Sequence, residues 1–177
     1  MDELSKLIVR AQAGDQDAFG QIYRLFFERI YRYCQFNLGD KEKAQDVCQE
    51  TFVRAWQSLD TFTIRKGGSF QAYLFKIAHN LIIDLSRKKK EFSLQDYDEP
   101  GTESLEELIV RQDNIESVKK AIFELDDKER QIIILRYFED MTFSEIAKII
   151  KVREGALRVR THRVLKKLKE IVASQND

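Results

Sequence analysis

The side chains best suited to chemistry in this chain are cations, aromatics and amides at helical spacing. Arg158, His162, Lys166 and Lys169 recur every three or four residues, with Arg160, Arg163 and Lys167 beside them. Guanidinium and ammonium groups on one side of a helix suit phosphates and guanine edges. A second group, Tyr73, Lys76, His79, Asn80 and Arg87, mixes an aromatic ring and an amide with cations. That mixture suits unstacked single-stranded bases, which offer a face to stack on and an edge to hydrogen-bond. Catalytic signatures are missing. The sequence has no HExxH, no glycine-rich phosphate loop and no nucleophile elbow. Two cysteines, Cys34 and Cys48, and two histidines, His79 and His162, fit no metal-ligand spacing, so no metal, no cofactor and no enzyme activity are expected. Both cysteines read as small buried residues.

Helices must position these groups. One proline (Pro100) and seven glycines in 177 residues disfavour a sheet-and-turn architecture. Phe19, Ile22, Tyr23, Phe26, Phe27, Ile30, Tyr31 and Cys34 trace an apolar stripe, which Asn37-Leu-Gly-Asp40 interrupts. Ala44, Val47, Cys48, Thr51, Phe52, Ala55 and Trp56 form a second stripe. Tyr73, Leu74, Ile77, Ala78, Leu81, Ile82 and Leu85 form a third. Thr63-Ile-Arg-Lys-Gly-Gly-Ser69 reads as the loop between those two. Asp126 with Glu129, and Thr142 with Glu145, have the spacing of capping boxes that open helices.

The net charge of zero hides strong segregation. Arg87-Lys-Lys-Lys90 and residues 151–169 are basic, whereas residues 91–110 carry seven carboxylates and no Lys or Arg. These boundaries predict an all-α chain with two small helical domains, 1–90 and 111–177, joined by a flexible acidic linker over 91–110. No run approaches the roughly 18 apolar residues of a membrane span. The start of the chain does not read as a secretory signal, so a cytoplasmic protein without membrane insertion is expected.

The stretch from Thr142 to Arg163 reads as a helix-turn-helix. Ile146, Ala147, Ile150, Val152 and Leu157 are expected at the corner, and Leu157, Thr161, Val164, Leu165, Leu168 and Val172 on the buried side of the second helix. By itself this pattern also fits a stand-alone transcriptional regulator, which would need a sensory domain with a ligand pocket or phospho-acceptor and a dimerisation helix.

The N-terminal half narrows the choice. Gly14-Asp15 with Ala18-Phe19 and Tyr23, then Ala44-Gln-Asp-Val-Cys-Gln-Glu-Thr-Phe52 with Ala55-Trp56, then Phe70 to Arg87, and finally Leu125 to Leu168, stand in one order. In that order they resemble the extracytoplasmic-function sigma factors, the smallest members of the sigma-seventy family. The resemblance covers nearly the whole chain and implies promoter recognition and transcription initiation with core RNA polymerase. It implies that Asp46, Gln49 and Glu50 dock on the β′ clamp helices, and that region four meets the β flap. It implies that Arg65, Lys66, Tyr73, Lys76, His79, Asn80 and Arg87 handle minus-ten DNA. Arg136, Arg158, Val159, Arg160, His162, Arg163 and Lys166 would handle minus-thirty-five DNA. A separate anti-sigma factor is a further implied partner. The chain departs from the family pattern in places. Tyr73 stands for a usual Trp, Lys151 for a turn glycine, Arg153 for a capping Ser, Ala156 for a Thr, and Val159 for a small polar residue.

Overall fold

Helix boundaries in the computed structural model follow the capping residues. The structure describes residues 2–63, 69–92 and 113–174, and all regular secondary structure among them is helical. The chain divides into two compact units, Met1–Glu99 and Pro100–Asp177.

In the first unit Asp2 opens α1 (Glu3–Gln12), accepting from the Ser5 amide at 2.7 Å. Asp15 opens α2 (Gln16–Leu38) in the same way, accepting from Ala18 at 3.0 Å. Asp40 opens α3 (Lys41–Gln57), accepting from Lys43 at 3.0 Å. Each carboxylate satisfies an amide that the helix leaves without a partner. Gly39 ends α2 with φ of 63°, a left-handed conformation that costs glycine little, and its amide returns to the Gln35 carbonyl. The last helix of the unit, α4, spans Phe70–Phe92. It therefore includes two residues of the stretch expected to be linker, whose remainder, 93–110, lies outside the described residues.

These helices pack mainly on their neighbours in the chain, α1 on α2, α2 on α3 and α3 on α4, with α4 also reaching α2. Ile22, Phe26 and Ile30 of α2, Ala44, Val47 and Phe52 of α3, and Leu74, Phe75, Ala78 and Ile82 of α4 are all buried between these packed helices. Fully burying such a side chain stabilises by about 1.5–3 kcal/mol. The α2 stripe is wider than its periodicity predicts. Tyr33, Gln35 and Phe36 are buried beside Cys34, so the C-terminal part of α2 is enclosed on every side.

The second unit begins with α5 (Asp113–Phe123) and α6 (Asp127–Ile133). Arg130 donates to the carbonyls of Ile122, Phe123 and Leu125, tying off the end of α5. A π-helical turn, Ile134–Phe138, continues α6. It is followed by α7 (Phe143–Ile150) and α8 (Glu154–Ser174). Both expected capping boxes are present with reciprocal bonds: Asp126 with Glu129, and Thr142 with Glu145. Ile122, Leu125, Ile132, Ile133, Ile134, Leu135, Ile146, Ile149, Leu157 and Val164 make the core. Among the described residues, no helix is long and apolar enough to cross a membrane.

Candidate functional site

On α3 the apolar positions turn inward, which leaves Asp46, Gln49, Glu50, Val53 and Gln57 along one outward stripe. Asp46 and Gln49 are exposed, whereas Glu50 is half-buried and accepts from Arg54 Nε at 2.7 Å. Beside Gln49 lies an open groove lined by Phe19, Tyr23, Phe52, Val53 and Trp56. Phe19 packs on Trp56 with ring centroids 4.8 Å apart, and Tyr23 on Phe52 at 4.7 Å. Val53 is 47% exposed, an apolar side chain amid polar ones. The groove and Val53 were not foreseen from the sequence, because aromatic residues on an amphipathic helix read first as core.

On α4, Tyr73, Lys76, Asn80 and Arg87 share one face by the 3.6-residue repeat. Lys76, Asn80 and Arg87 are exposed and Tyr73 is half-buried, while Leu74, Phe75, Ala78 and Ile82 turn into the core. The Tyr73 hydroxyl lies 2.6 Å from Ser58 Oγ, and its ring packs on Phe62 and Phe70 with centroids 4.6 and 5.7 Å away. Gln12 of α1 donates to the carbonyls of Leu59 and Phe62 at 3.0 and 2.8 Å, so the turn after α3 is tied to α1. Arg87 lies 3.5 Å from Asp84 in an exposed ion pair, which screening makes weak. Arg65 and Lys66 lie outside the described residues.

His79 departs from expectation. It is 7% exposed, and its Nδ1 lies 3.3 Å from the buried Tyr33 hydroxyl. The residue before Asn80 falls a full step around the helix, toward α2, so this imidazole serves the core and not the outer face.

The second unit presents a helix-turn-helix. Lys151 joins α7 to α8 in the left-handed conformation, φ 57° and ψ 49°, where the family pattern has glycine. Its amide and that of Val152 both return to the Ala147 carbonyl, closing the end of α7. Leu157, Thr161 and Val164 are buried and Leu165, Leu168 and Val172 half-buried, as their spacing predicts. Val152, expected at the inner corner, is instead 39% exposed, because the turn directs it outward.

Arg158, Val159, His162, Arg163 and Lys166 all lie exposed along the free side of α8. Arg160 sits on the flank toward α6. It lies 3.9 Å from Asp126, and Lys167 reaches Glu129 at 2.7 Å. The Glu129 carboxylate raises the Lys167 pKa, first through that hydrogen bond. Arg160 is thus turned partly into the domain, away from the group with which its spacing placed it. Arg136, in the π-helical turn, donates from Nη1 to the Met141 carbonyl at 2.7 Å. Its guanidinium carbon lies 4.8 Å from the centroid of the Phe143 ring, and that of Arg158 lies 4.6 Å from the same centroid. Phe143 therefore brings together two predicted site residues that are 22 positions apart in sequence. An aromatic directly after the capping Thr142 was the only available signal for it.

Cys34 and Cys48 are buried and free, and desolvation pushes the Cys48 thiol up to about 12 and Cys34 upward as well. Among the described residues no group of His, Cys, Asp and Glu is arranged to hold a metal.

Comparison with known proteins matches each of the two units to a known domain. The model of sigma-70 region 2 matches residues 22–92, and that of sigma-70 region 4 matches residues 121–170. The ECF RNA polymerase sigma factor SigW of Bacillus subtilis (strain 168) is 34% identical over 90% of this chain and 91% of its own length. Among solved structures, CnrH in complex with the cytosolic domain of CnrY has a TM-score of 0.72. It is 26% identical and covers 98% of this chain and 99% of that one. The sigma factor RpoE, co-crystallised with the anti-sigma factor NepR from Bartonella quintana, shares the fold with a TM-score of 0.68. It is 24% identical, covering 88% of this chain and 96% of that one.

Proposed function

The chain belongs to the extracytoplasmic-function sigma factors of the sigma-70 family, and from that premise we propose how its surfaces divide the work. As an RNA polymerase sigma factor it directs core polymerase to promoters and initiates transcription. A stand-alone regulator is disfavoured, because the first unit matches region 2 in place of a sensory domain.

The assignment rests on one observation. The described residues that match the family's contact motifs are at least partly exposed, His79 excepted, and all but Arg136 and Arg160 fall on separate outward faces of α3, α4 and α8. Asp46, Gln49 and Glu50 dock on the β′ clamp helices, with Val53 and the aromatic groove giving the same face an apolar centre. Polar residues around an apolar core are the usual anatomy of a protein interface. Region four is assigned to the β flap by resemblance.

Tyr73, Lys76, Asn80 and Arg87 form the minus-ten face, together with Arg65 and Lys66 of the preceding loop. Tyr73 offers its ring to an unpaired base, Asn80 offers donor and acceptor to a base edge, and the cations hold the backbone. Extracting a base from the stack costs a few kcal/mol, which these contacts offset. His79 supports this helix from within. Arg158, Val159, His162, Arg163 and Lys166 form the minus-thirty-five face in the major groove, with Arg136 supporting and Arg160 bracing α8 against α6. Residues 91–110 are assigned by sequence as the acidic connection between 1–90 and 111–177. The polymerase performs the chemistry, and the chain works in the cytoplasm.

A separate protein is proposed to sequester this chain, as an anti-sigma factor would. The similar CnrH was solved bound to the cytosolic domain of another protein. A partner that engages both units gains affinity from the effective concentration their connection imposes.

Run-off transcription with bacterial core polymerase and the full chain, followed by start-site mapping, tests the reading. Discrete starts downstream of a shared pair of sequence elements are expected. Transcription no different from core alone would overturn it.

A further inference from the structure

We infer that Phe143 is a positioning residue for promoter reading, its ring holding Arg136 and Arg158 in the orientation in which they meet DNA. This rests on the assignment of α8 as the minus-thirty-five reader.

Three elements meet at this ring. Arg136 comes from the π-helical turn, Phe143 is the first residue of α7, and Arg158 lies in the second turn of α8. The guanidinium carbons lie 4.8 and 4.6 Å from the ring centroid, well within the range at which a cation is attracted to an aromatic face. Each arginine has one further restraint. Arg136 donates to the Met141 carbonyl at 2.7 Å, and Arg158 donates to Glu154 at 2.6 Å.

Arg158 is largely exposed, and a long exposed arginine samples many rotamers. Each rotamer frozen on binding DNA subtracts from affinity. The ring and Glu154 each favour one placement of the guanidinium and so reduce that freedom beforehand. Arg136 gains in the same way, and because one ring serves both, the spacing between the two cations is set by α7. Phe143 is half-buried, so one part of its ring remains at the surface beside the two arginines.

The test uses holoenzyme reconstituted from core polymerase and the full chain, transcribing a promoter library randomised across the minus-thirty-five element. Arg158→Ala is expected to flatten base preference at one position. Phe143→Leu, which keeps apolar bulk but removes the ring, should reduce preference at that same position by about threefold to thirtyfold. Phe143→Tyr should retain it. On an Arg158→Ala background, Phe143→Leu should change the preference no further, as expected for a residue acting through its partner. Pentafluorophenylalanine at position 143 keeps the ring shape and reverses its quadrupole, so it should reproduce the leucine effect even if Phe143→Leu impairs folding. Wild-type preference with pentafluorophenylalanine, or additive losses in the double variant, would overturn the role of Phe143 while leaving α8 the reader. No effect of Arg158→Ala would overturn the underlying reading instead.

Discussion

Lys151→Gly should stabilise the second unit. Lys151 sits at φ 57° and ψ 49°, where the Cβ of any residue but glycine crowds the backbone. That conformation costs about 1–2 kcal/mol. Two terms oppose the gain. Glycine makes the unfolded chain more flexible, a cost of about 0.4–1 kcal/mol. The exposed lysine also lies at the negative end of α7, where a cation contributes at the low end of about 0.3–1 kcal/mol. The balance is a gain of about 0.5 kcal/mol, or roughly 2–4 °C for a domain of this size. Lys151→Ala keeps the Cβ and loses the charge, so it isolates the second term and should fall at or slightly below wild type. Hydrogen exchange of the α7 and α8 amides reads this unit without interference from the other. The expected order of protection is glycine above lysine above alanine. A glycine variant less protected than wild type would show that the left-handed turn is not strained, and the argument would fail.

Replacing Gln49 and Glu50 together with Ala should weaken core polymerase binding by at least about tenfold, as expected for lost bonds to charged or polar groups. The melting temperature should move little, since the partly exposed i,i+4 Glu50–Arg54 pair stabilises by only about 0.3–0.5 kcal/mol; unchanged affinity in a core-binding titration would refute the docking face. Arg158→Ala should cost about 1–3 kcal/mol on promoters carrying the preferred base and little on others. Lys166→Ala should weaken all promoters alike and lower the salt slope by about one, which binding across a salt series resolves. Cys34 and Cys48 should resist thiol reagents in the native protein and react in denaturant, and fast native labelling would contradict their burial. The Asp15 and Asp40 carboxyls are held below their ordinary pKa, Asp15 mainly by the Ala18 amide and Asp40 by Lys43. Their contribution to stability should be complete above the ordinary aspartate value of about 3.9 and lost as pH falls through the lowered folded values. Asp15→Asn should flatten this acid limb in urea titrations.

Much of this organisation could be read from local chemistry. Asp126 with Glu129 and Thr142 with Glu145 announce their helices because a capping box is decided within four residues. The faces of α4 and α8 follow from helical periodicity alone. Features that depend on a neighbour from elsewhere in the chain were hidden. His79 shares its sequence neighbourhood with Asn80, yet only the approach of Tyr33 makes it a core residue. Arg160 has the spacing of a DNA contact, and Asp126 on another helix draws it aside. Phe143 looks like an ordinary core aromatic until Arg136 and Arg158 are seen on its ring. The π-helical turn left no pattern that periodicity could detect.

The order in which the helices pack also has a consequence during synthesis. Because α1 to α4 pack chiefly on sequence neighbours, the first unit needs no residue beyond α4 to complete its core, and such local packing favours rapid folding. Translation proceeds at about 5–20 residues per second, so α8 follows roughly 4–16 s later. The face around Gln49 is therefore finished while the cationic helix is still being made. If the face around Gln49 docks polymerase as proposed, a growing chain presents it before the helix assigned to the minus-thirty-five element exists.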